Sequence, residues 1–365
     1  MFFKNKFYLM VLLFSLATSA QMTNQNNSLI SCKGRIEKTK DNKIILISPA
    51  SSVSFNFTGN TCEIFLQSID IWEHHNYVCL ELDGKYMGRL RIEKGKMKSY
   101  PILVSSITKT HHLSIYKATE AASGNILFAG TTAKLAPISS QKKKKIEFIG
   151  DSITCGAQND PSQVPCDQGE YFDHHNAYLA YGPVVSRSLN VDFSLSSVSG
   201  IGIYRNWNDE HIDEPIMNDV YENLYLNTEH LKPNPFNYNP DLVSICLGTN
   251  DFSDGDHIKA RLPFDEKKYI TNYIKLIKMV YKHNPKARIV LLDSPMVAGD
   301  KNKTLVKCLK SVVKAFENDK SHKKIALFQF KPMTAYGCGG HPDIKDNQLM
   351  ADQLTPFFKK ILNEK

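Results

Sequence analysis

Ile146-Glu147-Phe148-Ile149-Gly150-Asp151-Ser152-Ile153-Thr154-Cys155-Gly156 is the stretch on which the fold of this chain turns. Its branched and aromatic residues favour a buried strand, which Gly150 ends. Ser152 follows where the chain can turn into a helix. A serine at the carboxyl end of such a strand projects into the crevice above an open α/β sheet, where ligands bind. The surrounding letters differ from the G-x-S-x-G elbow of the α/β-hydrolases, so that analogy is set aside. The plain alternative makes Asp151 or Ser152 a helix cap. The rest of the chain has to decide between them.

At 365 residues the chain exceeds one typical domain, and its 42% hydrophobic and 22% charged content is that of a globular protein. Residues 1–20 differ. Lys4 and Lys6 precede an apolar block at 7–16, and small residues lead to Ala20. This is the pattern of a cleaved secretory signal, too short to span a bilayer. A secreted protein, extracellular or periplasmic and without a membrane anchor, is expected. Removing that segment takes two lysines and no acids, lowering the formal charge from +8 to +6. The dense basic run Lys142 to Lys145 reads as a solvated linker, and no nucleic-acid motif is present.

Eight cysteines in an oxidising compartment permit disulfides. Cys155 and Cys166 would close a short loop beside Ser152, whereas Cys246, inside an apolar run, reads as a buried thiol. The pairs His74-His75 and His174-His175 suggest metal ligands, but adjacent side chains point apart on a strand or helix. With no C-x-x-C spacing either, neither a metal nor a cofactor is expected.

Up to about residue 137 the pattern is all-β. Short runs at 43–48, 53–57, 62–67, 77–82, 87–92, 112–117 and 126–129 are rich in branched and aromatic residues, and Asp83-Gly84 is a hairpin signal. A β-sandwich of jelly-roll type is expected over 28–140, able either to bind sugars or to brace its neighbour. From 141 to 365 the period changes. Strand-like runs at 146–149, 191–194, 242–247, 288–292 and 325–328 alternate with helical ones at 177–189, 265–283, 305–317 and 346–362. That alternation predicts an α/β domain of flavodoxin-like, three-layer α/β/α type. Loops at 150–152, 197–202 and 248–251 all follow predicted strands and should meet on one rim.

Four blocks in order now carry a resemblance: G-D-S with Ser152, V-S-G-I-G with Gly200, G-T-N-D with Asn250, and G-G-H-P-D with His341. Together they resemble the SGNH, or GDSL-type, hydrolases. The context N-A-Y-L-A-Y-G at 176–182, G-I-Y-R-N at 202–206 and K-A-T-E at 117–120 is similar to carbohydrate esterase family 2. That family joins a jelly-roll domain to an SGNH domain and removes acetyl groups from plant polysaccharides. The resemblance implies Ser152 as nucleophile and His341 as its base. It also implies an oxyanion hole made by the Ser152 amide, the Gly200 amide and the Asn250 side chain. Asp151 is expected to bond nearby backbone groups, and Tyr204 and Trp207 either line a sugar site or pack in the core.

The chain departs from the pattern before the histidine. Many SGNH enzymes carry an aspartate three residues earlier, where this chain has Cys338, and commonly an aspartate and an aromatic residue just before, where it has Gly339 and Gly340. Either His341 is held by a backbone carbonyl in a Ser-His dyad, or a group such as Asp343 substitutes. The expected protein is a secreted, monomeric serine esterase acting on acetylated xylan, mannan or their oligosaccharides. The alternatives are a GDSL-type lipid or small-ester acylhydrolase and a non-catalytic carbohydrate-binding protein. Asn26, Asn56 and Asn302 head N-x-S/T sequons, relevant only in a host that glycosylates secreted chains.

Overall fold

The computed structural model describes residues 29–69, 73–104, 109–138, 142–209 and 214–364. The expected signal segment and the Asn26 sequon lie outside them. The first eleven strands are β1 (Ile30–Lys33), β2 (Ile36–Lys38), β3 (Ile44–Leu46), β4 (Ser52–Thr58), β5 (Thr61–Ile69), β6 (Asn76–Leu82), β7 (Lys85–Ile92), β8 (Lys98–Leu103), β9 (Thr110–Lys117), β10 (Asn125–Thr131) and β11 (Lys134–Ala136). They form two antiparallel sheets, β1-β4-β9-β6-β7 with β11 also on β4, and β2-β3-β10-β5-β8. Alternation sends Val53, Phe55 and Phe57 of β4 and Cys62, Ile64 and Leu66 of β5 into a shared core between the sheets. Asp83 and Gly84 turn β6 into β7 with positive φ of 52° and 77°, the geometry their sequence favours. The strands the sequence did not announce, β1, β2, β8 and β11, lie along sheet margins, where less side chain is buried. Pro101 sits within β8 because an edge strand can forgo an N–H.

The parallel sheet contains β12 (Lys145–Gly150), β13 (Asp192–Ser197), β14 (Leu242–Cys246), β15 (Arg288–Leu292) and β16 (Ala326–Phe328), in the order β13-β12-β14-β15-β16. The helices are α1 (Ser152–Cys155), α2 (Tyr181–Ser188), α3 (Met217–Val220), α4 (Glu266–His283), α5 (Gly299–Ala315) and α6 (Ile344–Asn363). Val185 of α2 and Leu354 and Phe358 of α6 cover one face over Phe148 and Leu195. Tyr273 and Ile277 of α4 with Leu309 of α5 cover the other over Ile245 and Leu291. With both faces covered, the strands are buried apolar runs, as a parallel sheet requires. The strand order reverses beside β12, which places Ser152 at the switch point where such sheets bind ligands.

Three boundaries differ most from the sequence reading. The helix expected at 177–189 divides into a 3-10 turn, Ala177–Leu179, and α2, with Ala180 extended between them. Pro183, which has no N–H to give, is accommodated in the first turn of α2. Helix α5 begins at Gly299, six residues earlier than the pattern showed, and with no side chain capping it at Ala298 the sequence carried no start signal there. Strand β13 continues past the expected end at 194 through Ser196 and Ser197, both buried, although 197 was expected to open a loop. Ser196 bonds Glu147 at 2.7 Å and accepts from the Arg35 guanidinium.

Two arginines of the N-terminal sheets reach across the seam. Arg35 donates to the carbonyls of Tyr221, at 2.9 Å, and of Asn223. Arg89 of β7 donates to the carbonyls of Asp173, at 2.6 Å, and of His175, at 3.0 Å. A buried guanidinium has several donors to place, and here they fix loops of the parallel-sheet region. Bracing is thus one role of the N-terminal region.

Candidate active site

Gly150 lets α1 close on the end of β12. A Cβ there would stand 2.1 Å from Thr154 Oγ1 and 2.9 Å from the Cys246 carbonyl oxygen. Asp151 is the N-cap of α1, its Oδ1 accepting from the Ile153 amide at 3.1 Å. The capping alternative therefore describes Asp151, and it leaves the Ser152 hydroxyl free for another partner. That partner is His341, whose Nε2 lies 3.0 Å from Ser152 Oγ although 189 positions separate the two.

His341 is oriented by the main chain. Its Nδ1 is 3.3 Å from the Cys338 carbonyl oxygen, which also accepts the His341 amide at 3.1 Å. A carbonyl can only accept, so Nδ1 carries the proton and Nε2 presents its lone pair to the serine. Asp343 does not substitute for the missing carboxylate. It caps α6, accepting from the Asp346 amide at 2.7 Å. Gly339 and Gly340 take φ of 56° and 74°, a left-handed pair that side-chain-bearing residues rarely adopt. The departure from the family pattern thus has a conformational reason: this turn tucks the Cys338 carbonyl under the imidazole. Burial also pushes the His341 pKa below its ordinary value.

The groups expected to serve as oxyanion donors lie in loops that follow β12, β13 and β14. Asn250, in the loop after β14, donates one Nδ2 hydrogen to the Ile201 carbonyl at 2.8 Å, leaving the other for a ligand. Among the described residues, no acceptor takes the amide hydrogens of Ser152 or Gly200. Nothing would meet a Cβ at Gly200 within 4 Å, so its surroundings are open to a substrate. Asp251 ties two of the blocks together, accepting from the amides of Ile203 at 3.0 Å and Tyr204 at 2.9 Å. A carboxylate holding several backbone donors is a strong link, and no sequence signal other than its place beside Asn250 pointed to it.

Tyr204 is a core residue, only 2% exposed, with Phe264 edge-on to its ring. Trp207 is 50% exposed and donates its amide to the Gly200 carbonyl at 2.8 Å. It borders a cavity of about 290 Å³ that Asn206, Glu214, Asn227, Thr228 and Glu229 also line. Tyr171 was not anticipated. Its ring lies edge-on to His341 at 6.4 Å, and its hydroxyl donates to Ser199 Oγ at 3.3 Å.

The disulfide joins Cys166 to Cys338, not to Cys155. Cys155 is a buried free thiol on α1, 3.2 Å from Ser197 Oγ, so it faces the sheet and not the loop that carries Cys166. Short separation misled because contact in the fold, not loop length, decides pairing. The histidine pairs have partners of other kinds: His75 bonds Asp173, His174 bonds the Pro165 carbonyl at 2.9 Å, and His175 faces Glu120 at 3.4 Å. Among the described residues no cluster of His, Cys, Asp and Glu could hold a metal ion, and no helix is long and apolar enough to cross a membrane. The sequon amides of Asn56 and Asn302 are already donors, to the Pro137 carbonyl at 2.7 Å and to Asp293 at 3.2 Å.

Comparison with known proteins gives this geometry its context. Residues 32–138 match the carbohydrate esterase 2 N-terminal family, and residues 148–349 match the GDSL-like lipase/acylhydrolase family. An acetylxylan esterase/glucomannan deacetylase of Cellvibrio japonicus is 30% identical over 276 residues, covering 74% of each chain. The cellulase/esterase CelE of Acetivibrio thermocellus is 30% identical over 95% of this chain, which spans only 41% of CelE's length. A family two carbohydrate esterase from Clostridium thermocellum, solved in complex with cellohexaose, superposes with a TM-score of 0.79 at 28% identity, covering 91% of this chain and 99% of the other. On this evidence the chain is a carboxylic ester hydrolase that belongs to the GDSL-like lipases and acylhydrolases, within carbohydrate esterase family 2.

Proposed function

We propose that this protein is a secreted serine esterase that removes O-acetyl groups from xylan, glucomannan or derived oligosaccharides. The observation that carries the reading is the 3.0 Å approach of His341 Nε2 to Ser152 Oγ. As His341 takes the hydroxyl proton, Ser152 Oγ attacks the acetyl carbonyl carbon. The carbonyl oxygen gains the negative charge, which the Ser152 and Gly200 amides and the free Asn250 hydrogen stabilise. The bond to the sugar oxygen then breaks, and that oxygen takes the proton from His341. Water attacks the acetyl-enzyme carbonyl and gives a proton to His341, the bond from the acyl carbon to Ser152 Oγ breaks, Oγ takes that proton back, and acetate leaves. The cavity beside Gly200 sets the exposed Trp207 next to Asn206, Glu214, Asn227 and Glu229, an apolar face with polar groups at hand such as a sugar ring takes.

Acetate release from acetylated xylan and acetylated glucomannan, set against hydrolysis of 4-nitrophenyl acetate and octanoate, tests this reading. Release from at least one glycan, with acetate preferred to octanoate by about tenfold or more, is the expected outcome. Preference for octanoate would move the protein to the lipid acylhydrolases. Glycan binding without turnover would make it a carbohydrate-binding protein.

The pH profile follows from the burial of His341. Because burial disfavours the imidazolium, the neutral base persists to lower pH than in a free histidine. The acidic limb of kcat/KM for 4-nitrophenyl acetate is expected below 6.5, the ordinary imidazole value. A limb at or above 6.5 would contradict the environment described for His341.

A further inference from the structure

Glu120 ends the K-A-T-E segment of the N-terminal region, yet its carboxylate lies in the seam beside Ser152's loops and is 3% exposed. One oxygen, Oε2, accepts the Ser199 amide at 2.7 Å. Ser199 immediately precedes Gly200. The other, Oε1, faces His175 Nε2 at 3.4 Å. The fully buried His175 ring stands edge-on to Tyr171 at 4.7 Å, and Tyr171 in turn stands edge-on to His341. One carboxylate therefore touches the loop of the oxyanion donors and, through two rings, the wall of the catalytic base.

The segment that delivers it is clamped at each step. Lys117, fully buried, donates through Nζ to Thr119 Oγ1 at 2.9 Å and to the Glu120 carbonyl. The Ala118 amide donates to the Tyr77 carbonyl at 2.9 Å, and the Ala118 carbonyl accepts from Ala177 at 2.9 Å. Thr119 Oγ1 bonds Asn76 Oδ1 at 2.5 Å. Burial raises the Glu120 pKa, but His175 and the Ser199 amide more than offset it, so the carboxyl sits below its ordinary value and is ionised at neutral pH. Burying a charge is costly, and apolar residues would brace a seam at less expense. What a polar side chain adds here is an acceptor oxygen held at a defined amide.

We propose that Glu120 is a positioning residue for ester cleavage, its carboxylate fixing the Ser199–Gly200 turn so that the Gly200 amide is held ready for the oxyanion. The proposal rests on Ser152 being the nucleophile. It also makes the N-terminal region part of the active site, because the catalytic sheet alone lacks this acceptor.

Two near-isosteric variants of the full chain test it. Glu120→Asp keeps the charge but withdraws the oxygens by one methylene, while Glu120→Gln keeps the reach and an acceptor for the Ser199 amide. With 4-nitrophenyl acetate, kcat is expected to fall on the order of a hundredfold in Glu120→Asp with KM changed less than about threefold, as when an oxyanion donor is displaced. Glu120→Gln should recover kcat to within about tenfold of the wild type. Melting temperatures of both variants and a fluorophosphonate labelling rate for Ser152 are measured on the same preparations. A folded Glu120→Asp with kcat and labelling rate within about twofold of the wild type overturns the proposal, whatever its melting temperature. If that variant does not fold, Glu120→Gln decides alone: a fall in kcat beyond tenfold, whatever its melting temperature, overturns the proposal, and a smaller fall supports it. Failure of the wild type to turn over ester or to be labelled overturns the reading of Ser152 and this proposal with it. An active wild type confines the failure to Glu120.

Discussion

Ser152→Ala and His341→Ala are each expected to lower kcat for acetyl-ester hydrolysis by about 10⁴- to 10⁶-fold, with the double variant no worse than either alone. The two side chains act as one device, since the hydroxyl is a poor nucleophile until the imidazole takes its proton. Residual turnover would come from the oxyanion donors and substrate binding. Asp343→Ala is the informative control. Its carboxylate caps α6 and has no bond to His341, so kcat should stay within about threefold while stability falls by about 1 kcal/mol, the usual worth of an N-cap. Steady-state kinetics with 4-nitrophenyl acetate and denaturant melts separate these effects. Loss of turnover in a folded Asp343→Ala would mean that a carboxylate does support the base, and the carbonyl-held dyad would be wrong.

Breaking the Cys166–Cys338 disulfide should have the largest effect on stability outside the core. The bond spans 172 positions and ties the segment carrying Tyr171 to the turn that carries His341. Cys166→Ser is expected to cost about 2 to 4 kcal/mol in a denaturant melt, the usual range for a native disulfide. The same substitution frees the Cys338 turn that orients His341, and a shift of that base by about 1 Å would cost kcat up to about a hundredfold. Dithiothreitol should reproduce both losses in the wild type and add nothing in Cys166→Ser. Cys155→Ser should leave the response to reductant intact, because Cys155 is a free thiol. A melt and a kcat indifferent to reductant in the wild type would show that the bond constrains neither the fold nor the base.

The two regions were legible because burial writes itself into local pattern. Parallel strands covered on both faces must be apolar runs such as 242–247, and sandwich strands must alternate, as Val53, Phe55 and Phe57 do. The edge strands, the break at Ala180 and the uncapped start of α5 were not legible, because each depends on a neighbour's backbone and not on its own side chains. The placement of the dyad was legible for a different reason. Ser152, Gly200, Asn250 and His341 each follow a strand of one sheet, and strand ends of a parallel sheet share a rim.

The sequence by itself determined the two-region architecture and the strand that presents Ser152, since residue type and period suffice for those, while the set of residues proposed for acyl transfer came from the resemblance carried by four short blocks. Only the tertiary structure decided which groups hold that set in place. The Cys338 carbonyl that orients His341, the disulfide partner of Cys166, the Asp251 link between loops and the Glu120 carboxylate at the Ser199 amide all join positions far apart in the chain. Such contacts are made by main-chain atoms or by single buried charges, which leave no periodicity and no spacing to read. They exist only once the two cores have packed and brought their loops to a common seam.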